Sequence, residues 1–159
     1  MAAPPLSEAE LKFLHALSTR GVRFIMVGLS AAALQGAPVV TQDVDLWFED
    51  LSDPRIREAL REVGASYVPP IEMNPPMFAG GGVELFDIVL RMDGLRSFAE
   101  EFEHTLEISP GSFQVKVLGL PRIVVSKRAA NRPKDKLVIQ VLEDSLAAGQ
   151  HPRKRVRKQ

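Results

Sequence analysis

Between Gly21 and Gly28 the chain holds a short apolar run, Arg23–Val27 (RFIMV), and Gly28-Leu29-Ser30 leads from it straight into the Ala-rich run Leu29–Gln35. A run this short, apolar and bounded by glycines predicts a buried strand, and the alanines predict a helix that starts without a connecting loop. Gly36-Ala37-Pro38 closes that helix. A buried strand feeding directly into a helix points to a layered domain in which sheet and helices cover one another.

The remaining segments agree with such a layering. Ser7-Glu8-Ala9-Glu10 has the form of a capping box, and Leu11, Leu14 and Leu17, widened by Phe13, supply the apolar stripe of a helix ending at Gly21. Val39–Glu49 (VVTQDVDLWFE) reads as a strand. Asp53-Pro54 opens a helix that runs to Val63 and stops at Gly64. Residues 68–82, rich in Pro and Gly, read as a loop or an irregular hairpin. Glu84–Arg91 is a strand, Leu95–His104 a short helix, and Glu107–Ser109 with Phe113–Leu118 two strands turned at Pro110-Gly111. Pro121–Ala130 and Pro133–Ala148 are helices, the second ending at Gly149. The expected fold is α/β (α+β): a small mixed sheet flanked by helices, with a C-terminal helical pair. Residues 1–150 form one domain, and 151–159 (HPRKRVRKQ) form a basic tail expected to be disordered.

Several classes fall away. The most apolar stretch, Phe24–Leu34, is too short to cross a bilayer and contains Gly28 and Ser30. The first residues, MAAPPLSEAE, are acidic where a secretory leader is basic. There is no cysteine, which excludes disulfides and Cys-ligated metal centres. A soluble, cytoplasmic protein is the expectation. Its net charge of zero hides a division: residues 1–121 carry a net −8 and residues 122–159 a net +8. The basic part faces phosphates or pairs with the acidic part.

Chemistry concentrates at Asp43-Val44-Asp45. On a strand, residues two apart share a face, so both carboxylates project together, roughly 7 Å apart at their Cα atoms. Like charges so placed repel, and a cation normally justifies them. Carboxylate oxygens on a rigid strand suit Mg²⁺, which takes one or two carboxylates plus substrate phosphates. Upstream, the helix begun at Gly28 offers free N–H groups to a phosphate, with close approach over the glycine. Ser30 either adds a hydroxyl donor or caps its helix. Downstream, Asp87 lies between Phe86 and Ile88, where an acid needs a partner. Either it joins Asp43 and Asp45 from a neighbouring strand, or it pairs with an arginine such as Arg91. Trp47 falls on the carboxylate face by parity, either to stack on a base or to fill core. His15, His104 and His151 show no ligand spacing.

The stretch Val27–Leu46, VGLSAAALQGAPVVTQDVDL, resembles the core motif of the DNA polymerase β-like nucleotidyltransferase superfamily. It is similar in particular to the small bacterial nucleotidyltransferase domains that include abortive-infection toxins. That pattern runs from a strand through a Gly-Gly or Gly-Ser turn into a helix, then to Thr-x-Asp-x-Asp. Asp87 in ELFDIVL matches its third carboxylate, and Ser126–Asp135 (SKRAANRPKD) resembles the Lys-x-x-Ala-x-Arg-x-Lys-Asp segment of this branch. The resemblance covers most of residues 22–143. It implies transfer of a nucleoside monophosphate from a nucleoside triphosphate to an acceptor hydroxyl, with Mg²⁺ as cofactor. Asp43, Asp45 and Asp87 would be metal ligands, and Asp87 would also activate the acceptor. Gly28 and Ser30 would hold the triphosphate, Thr41 would order the turn before the carboxylates, and Lys127 and Arg132 would neutralise phosphate charge. The acceptor would be RNA such as tRNA, a protein or a small molecule. Leu29 and Val39 depart from the pattern, where relatives carry a small residue and an arginine. They support an alternative, a catalytically degenerate nucleotide- or partner-binding module of the same fold.

Overall fold

The computed structural model describes residues 6–158. A five-stranded mixed sheet forms the centre, in the order β5-β2-β1-β7-β6. Strand β1 (Phe24–Val27) lies antiparallel to β2 (Val44–Phe48) and parallel to β7 (Val115–Val117). Strand β5 (Phe86–Val89) runs parallel to β2, and β6 (Leu106–Ile108) closes the other edge antiparallel to β7. All four residues of β1 are buried, as a central strand covered on both faces must be.

Helix α1 (Glu8–Thr19) opens with the capping box at Ser7 and Glu10. Alternation then divides the sheet into two faces. Phe24, Val44, Leu46, Phe48 and Phe86 point to one side. There Phe13 of α1 meets Phe86 edge-on at 5.3 Å and Phe78 at 5.2 Å. Phe78 belongs to a separate hairpin, β3 (Ala65–Val68) with β4 (Met77–Gly80), which follows α3 (Pro54–Glu62). The Pro- and Gly-rich segment is therefore the long connection and second strand of a hairpin, with an isolated Ile71–Asn74 bridge in the connection and a fully buried Phe78 as anchor. The other face carries Ile25, Val27, Asp45, Trp47 and Asp87. Trp47 is buried there and meets Phe98 of α4 (Phe98–Phe102) edge-on at 5.3 Å, so it fills core.

Helix α2 (Gly28–Leu34) follows β1 with no intervening residue, and α5 (Leu120–Ala130) packs against it. Gln35 ties the two helices together. Its amide nitrogen donates to the Ala31 and Leu118 carbonyls at 3.0 and 2.8 Å, and its oxygen accepts the Leu120 N–H at 3.1 Å. Gln35→Ala strands two backbone groups at the start of α5. It is expected to cost about 1–3 kcal/mol, read as a lower urea midpoint with an unchanged native circular-dichroism spectrum.

Three expected boundaries differ. The strand foreseen over Val39–Glu49 begins only at Val44, because Thr41 turns the chain just before it: Thr41 Oγ1 accepts the Asp43 N–H at 3.3 Å. The strand foreseen over Glu84–Arg91 shrinks to Phe86–Val89. Helix α6 runs Pro133–Lys158 and does not stop at Gly149, so it takes in most of the segment expected as a disordered tail. Gly149 is not among the residues with positive φ, and a glycine stop needs that conformation. Gln159 lies outside the described residues.

Candidate active site

The register places Asp45 of β2 directly beside Asp87 of β5. Partners on neighbouring parallel strands lie about 4.8 Å apart, with side chains on the same face. Asp43, one residue before β2, is exposed and adds its charge to both. Three acids from two distant segments thus share one end of the sheet. Arg91 instead pairs with Asp93, at 3.3 Å, which removes the ion-pair alternative for Asp87.

Burial is the main force pushing the Asp45 carboxyl up to about 6; the charges of Asp87 and Asp43 add to it, and the Lys127 ammonium opposes it. Asp87 is also raised, by partial burial and then by Asp43. The interaction between the two carboxyls raises Asp45 further and lowers Asp87.

Gly28 starts α2 at φ +72°, in the left-handed region. A Cβ there would lie 3.1 Å from Asp45 Cγ and collide with the carboxylate oxygen. Glycine at 28 is therefore what allows Asp45 to sit against the first turn of the helix. Ser30 differs from the triphosphate-binding role expected for it. It is buried, its hydroxyl donates to the Val27 carbonyl at 3.1 Å, and the same oxygen accepts the Asp45 N–H at 3.3 Å. Its hydroxyl proton is engaged, and through these two bonds it fastens the carboxylate strand to the helix start. Thr41 orders the turn before the carboxylates, as expected.

Beside Asp45 opens a cleft of about 320 Å³. Val27, Gly28, Asp45 and Val89 of the sheet side face Ile123, Ser126 and Lys127 of α5, and Arg132 completes the rim. Four expected residues, Gly28, Asp45, Lys127 and Arg132, meet here; Ser30, Thr41, Asp43 and Asp87 are not part of its lining. Within it Asp45 faces Lys127 and Arg132, and Arg91 and Asp93 also line it, a mixed-charge cleft suited to a phosphate with a divalent ion.

One buried acid behind the cations was not singled out in the sequence. Asp135, third residue of α6, is 1% exposed. It accepts Arg132 Nε at 2.8 Å, Arg132 Nη2 at 3.2 Å and the Arg132 N–H at 3.2 Å, and Lys127 Nζ lies 3.7 Å away. Its place three residues after Arg132 and two after Pro133 is the legible signal, because an acid there reaches back to the helix start.

The carboxylate donors fit a hard divalent cation in kind. Among the described residues no three His, Cys, Asp or Glu side chains are grouped so that together they could hold a metal ion. No helix among the described residues is long and apolar enough to cross a membrane.

No family model matches this sequence, and no curated protein matches it. Solved structures do. The fold is similar to the crystal structure of ANT(2'')-Ia in complex with adenylyl-2''-tobramycin, with a TM-score of 0.57 and 17% identity over 88% of each chain. It is equally similar to the solution structure of the antibiotic-resistance factor ANT(2'')-Ia, with a TM-score of 0.56 and 16% identity over 94% of each chain. The mixed sheet with its flanking helices and C-terminal helical pair is the fold these structures share with this chain.

Proposed function

We propose that this chain is a nucleotidyltransferase that moves a nucleoside monophosphate from a nucleoside triphosphate to an acceptor hydroxyl, with Mg²⁺ as cofactor. One observation carries the reading. Asp45 stands beside Asp87 on parallel strands, lies against a glycine-started helix, and faces Lys127 and Arg132 across a cleft.

Asp45, Asp87 and Asp43 would hold the cation, which when bound neutralises charge on the triphosphate and on the attacking oxygen. Lys127 and Arg132 bind the phosphates from the opposite wall, and the Gly28 turn lets a phosphate approach the backbone. The acceptor oxygen attacks the α-phosphorus as the bond to the pyrophosphate oxygen breaks. Pyrophosphate leaves with that electron pair. The acceptor proton passes to Asp87, which is solvent-exposed on the edge strand β5. Trp47 is buried, so base recognition falls to other residues of the cleft.

The test is transfer of label. The protein is incubated with Mg²⁺, each triphosphate labelled at the α or the γ position, and cell extract fractionated into RNA, protein and small molecules. Label is expected in one fraction from the α position only, and not with Asp87→Asn. That fraction identifies the acceptor, and RNA or protein would support the toxin-like subtype. Triphosphate binding without transfer would replace this reading with the degenerate binding module.

A further inference from the structure

Resting on the nucleotidyltransferase reading, we propose that Asp135 is the positioning residue of the triphosphate seat: a buried anion that holds Lys127 and Arg132 side by side on the cleft wall opposite Asp45. The reaction scheme above gives Asp135 no step, and it does not itself line the cleft; it touches the lining through Lys127 and Arg132. Yet it is sealed from solvent by its immediate neighbours, although it lies close to the protein surface. Burial pushes its carboxyl up. The Arg132 side-chain and backbone hydrogen bonds, with the charges of Lys127 and Arg132, outweigh burial and keep it ionised, below the ordinary range.

A covered carboxylate with three hydrogen bonds from one residue and an ammonium 3.7 Å away holds those groups in place. Arg132 is otherwise a half-exposed side chain with a long flexible stem. The bidentate contact fixes its guanidinium in one plane at the rim of the cleft. Lys127 stands between two anions, Asp135 behind it and Asp45 across the cleft. Without Asp135, the remaining anion acting on Lys127 is Asp45, and Lys127 would be drawn across to the group assigned to the metal. Asp135 thus keeps the cations apart from the acids, and a triphosphate meets two preoriented positive charges on one side and a cation-ready pair on the other.

Asp135 also caps α6, since it accepts the Arg132 N–H at 3.2 Å, and two substitutions separate the roles. Asp135→Asn keeps a capping oxygen and removes the charge. Asp135→Glu keeps the charge in a residue favoured at this capping position. Calorimetry in Mg²⁺ with each of the four nucleoside triphosphates is the measurement, and circular dichroism confirms the fold. The wild type is expected to bind. Asp135→Asn should weaken binding by at least about tenfold, and Asp135→Glu should restore it to within about threefold. In a Lys127→Gln/Arg132→Gln background, Asp135→Asn should have no further effect, because a residue acting through two others is silent once they are gone. This background also decides the matter if Asp135→Asn alone folds poorly.

Asn binding as well as the wild type, or Glu failing as badly as Asn in a folded protein, overturns the proposal. So does an undiminished Asp135→Asn effect in the double-substituted background. A wild type that binds no triphosphate overturns the nucleotidyltransferase reading, and this inference with it.

Discussion

Replacing Asp45 by Asn is expected to abolish nucleotide transfer and, in the same protein, to raise thermal stability at pH 8. The Asp45 carboxyl has its folded value raised from 3.8 to about 6, chiefly by burial and then by Asp87 and Asp43. A carboxyl raised on folding binds its proton more tightly in the native than in the unfolded chain. Its contribution to stability is therefore full at low pH and lost as pH rises from about 4 through 6. At about 1.36 kcal/mol per unit, the ionised pair costs the metal-free protein on the order of 3 kcal/mol above that window. Asn removes the charge, and its amide can donate to Asp87. Thermal melts in chelator should show Asp45→Asn higher by about 5–10 °C at pH 8, with the gap closing near pH 4. Mg²⁺ should stabilise the wild type and leave the variant unmoved. Transfer should fall by about 10³-fold or more, the scale of losing a group that holds the catalytic ion. A variant melting at or below the wild type at pH 8 would show that Asp45 carries no such strain.

This conflict between stability and chemistry explains which parts of the site can be read from the chain. Asp43, Asp45 and Asp87 stand out because two adjacent like charges and an acid between Phe86 and Ile88 break the local pattern, and strand parity gives their direction. The register that sets Asp45 beside Asp87 is a pairing across more than forty residues, which no local pattern encodes. Ser30 shows the same limit. Its glycine-x-serine context suits a helix cap or a phosphate contact equally, and its bond to the Asp45 N–H, fifteen residues away, has no signature in the local sequence. Gln35 closes an alanine helix without remark in the sequence, while its two longest-range bonds go to the start of α5.

The Pro- and Gly-rich stretch hides a hairpin. Gly80, Gly81 and Gly82 all take positive φ, so composition that suggests irregularity here serves a tight geometry, and Phe78 supplies the anchor. The charge division of the chain also resolves locally. Lys127 and Arg132 face Asp135, Arg128 pairs with Glu143, and Arg122 with Glu101. Among the described residues, four of these cations thus pair with nearby acids, and Lys127 and Arg132 lie where that network meets the cleft.

Gly28→Ala is expected to destabilise the protein by about 2–4 kcal/mol and to remove transfer, and most of that loss should come from a single contact. Two costs add. One is the left-handed backbone at φ +72°, about 1–2 kcal/mol for any residue with a Cβ. The other is the collision with the Asp45 carboxylate, whose Cγ lies 3.1 Å from the new carbon. Gly36 separates them. It has φ +93° with nothing within 4 Å of an added Cβ, so Gly36→Ala bears only the backbone cost. The excess of Gly28→Ala over Gly36→Ala in urea unfolding is then the collision. Asp45→Ala removes the colliding group and leaves a Cβ at 3.4 Å, an ordinary contact. In that background Gly28→Ala should cost no more than Gly36→Ala. If the excess persists there, the glycine serves α2 itself. If it vanishes, the requirement for glycine at the helix start belongs to the carboxylate it shelters, and the most apolar strand of the sheet ends where it does to let Asp45 lie against that first turn.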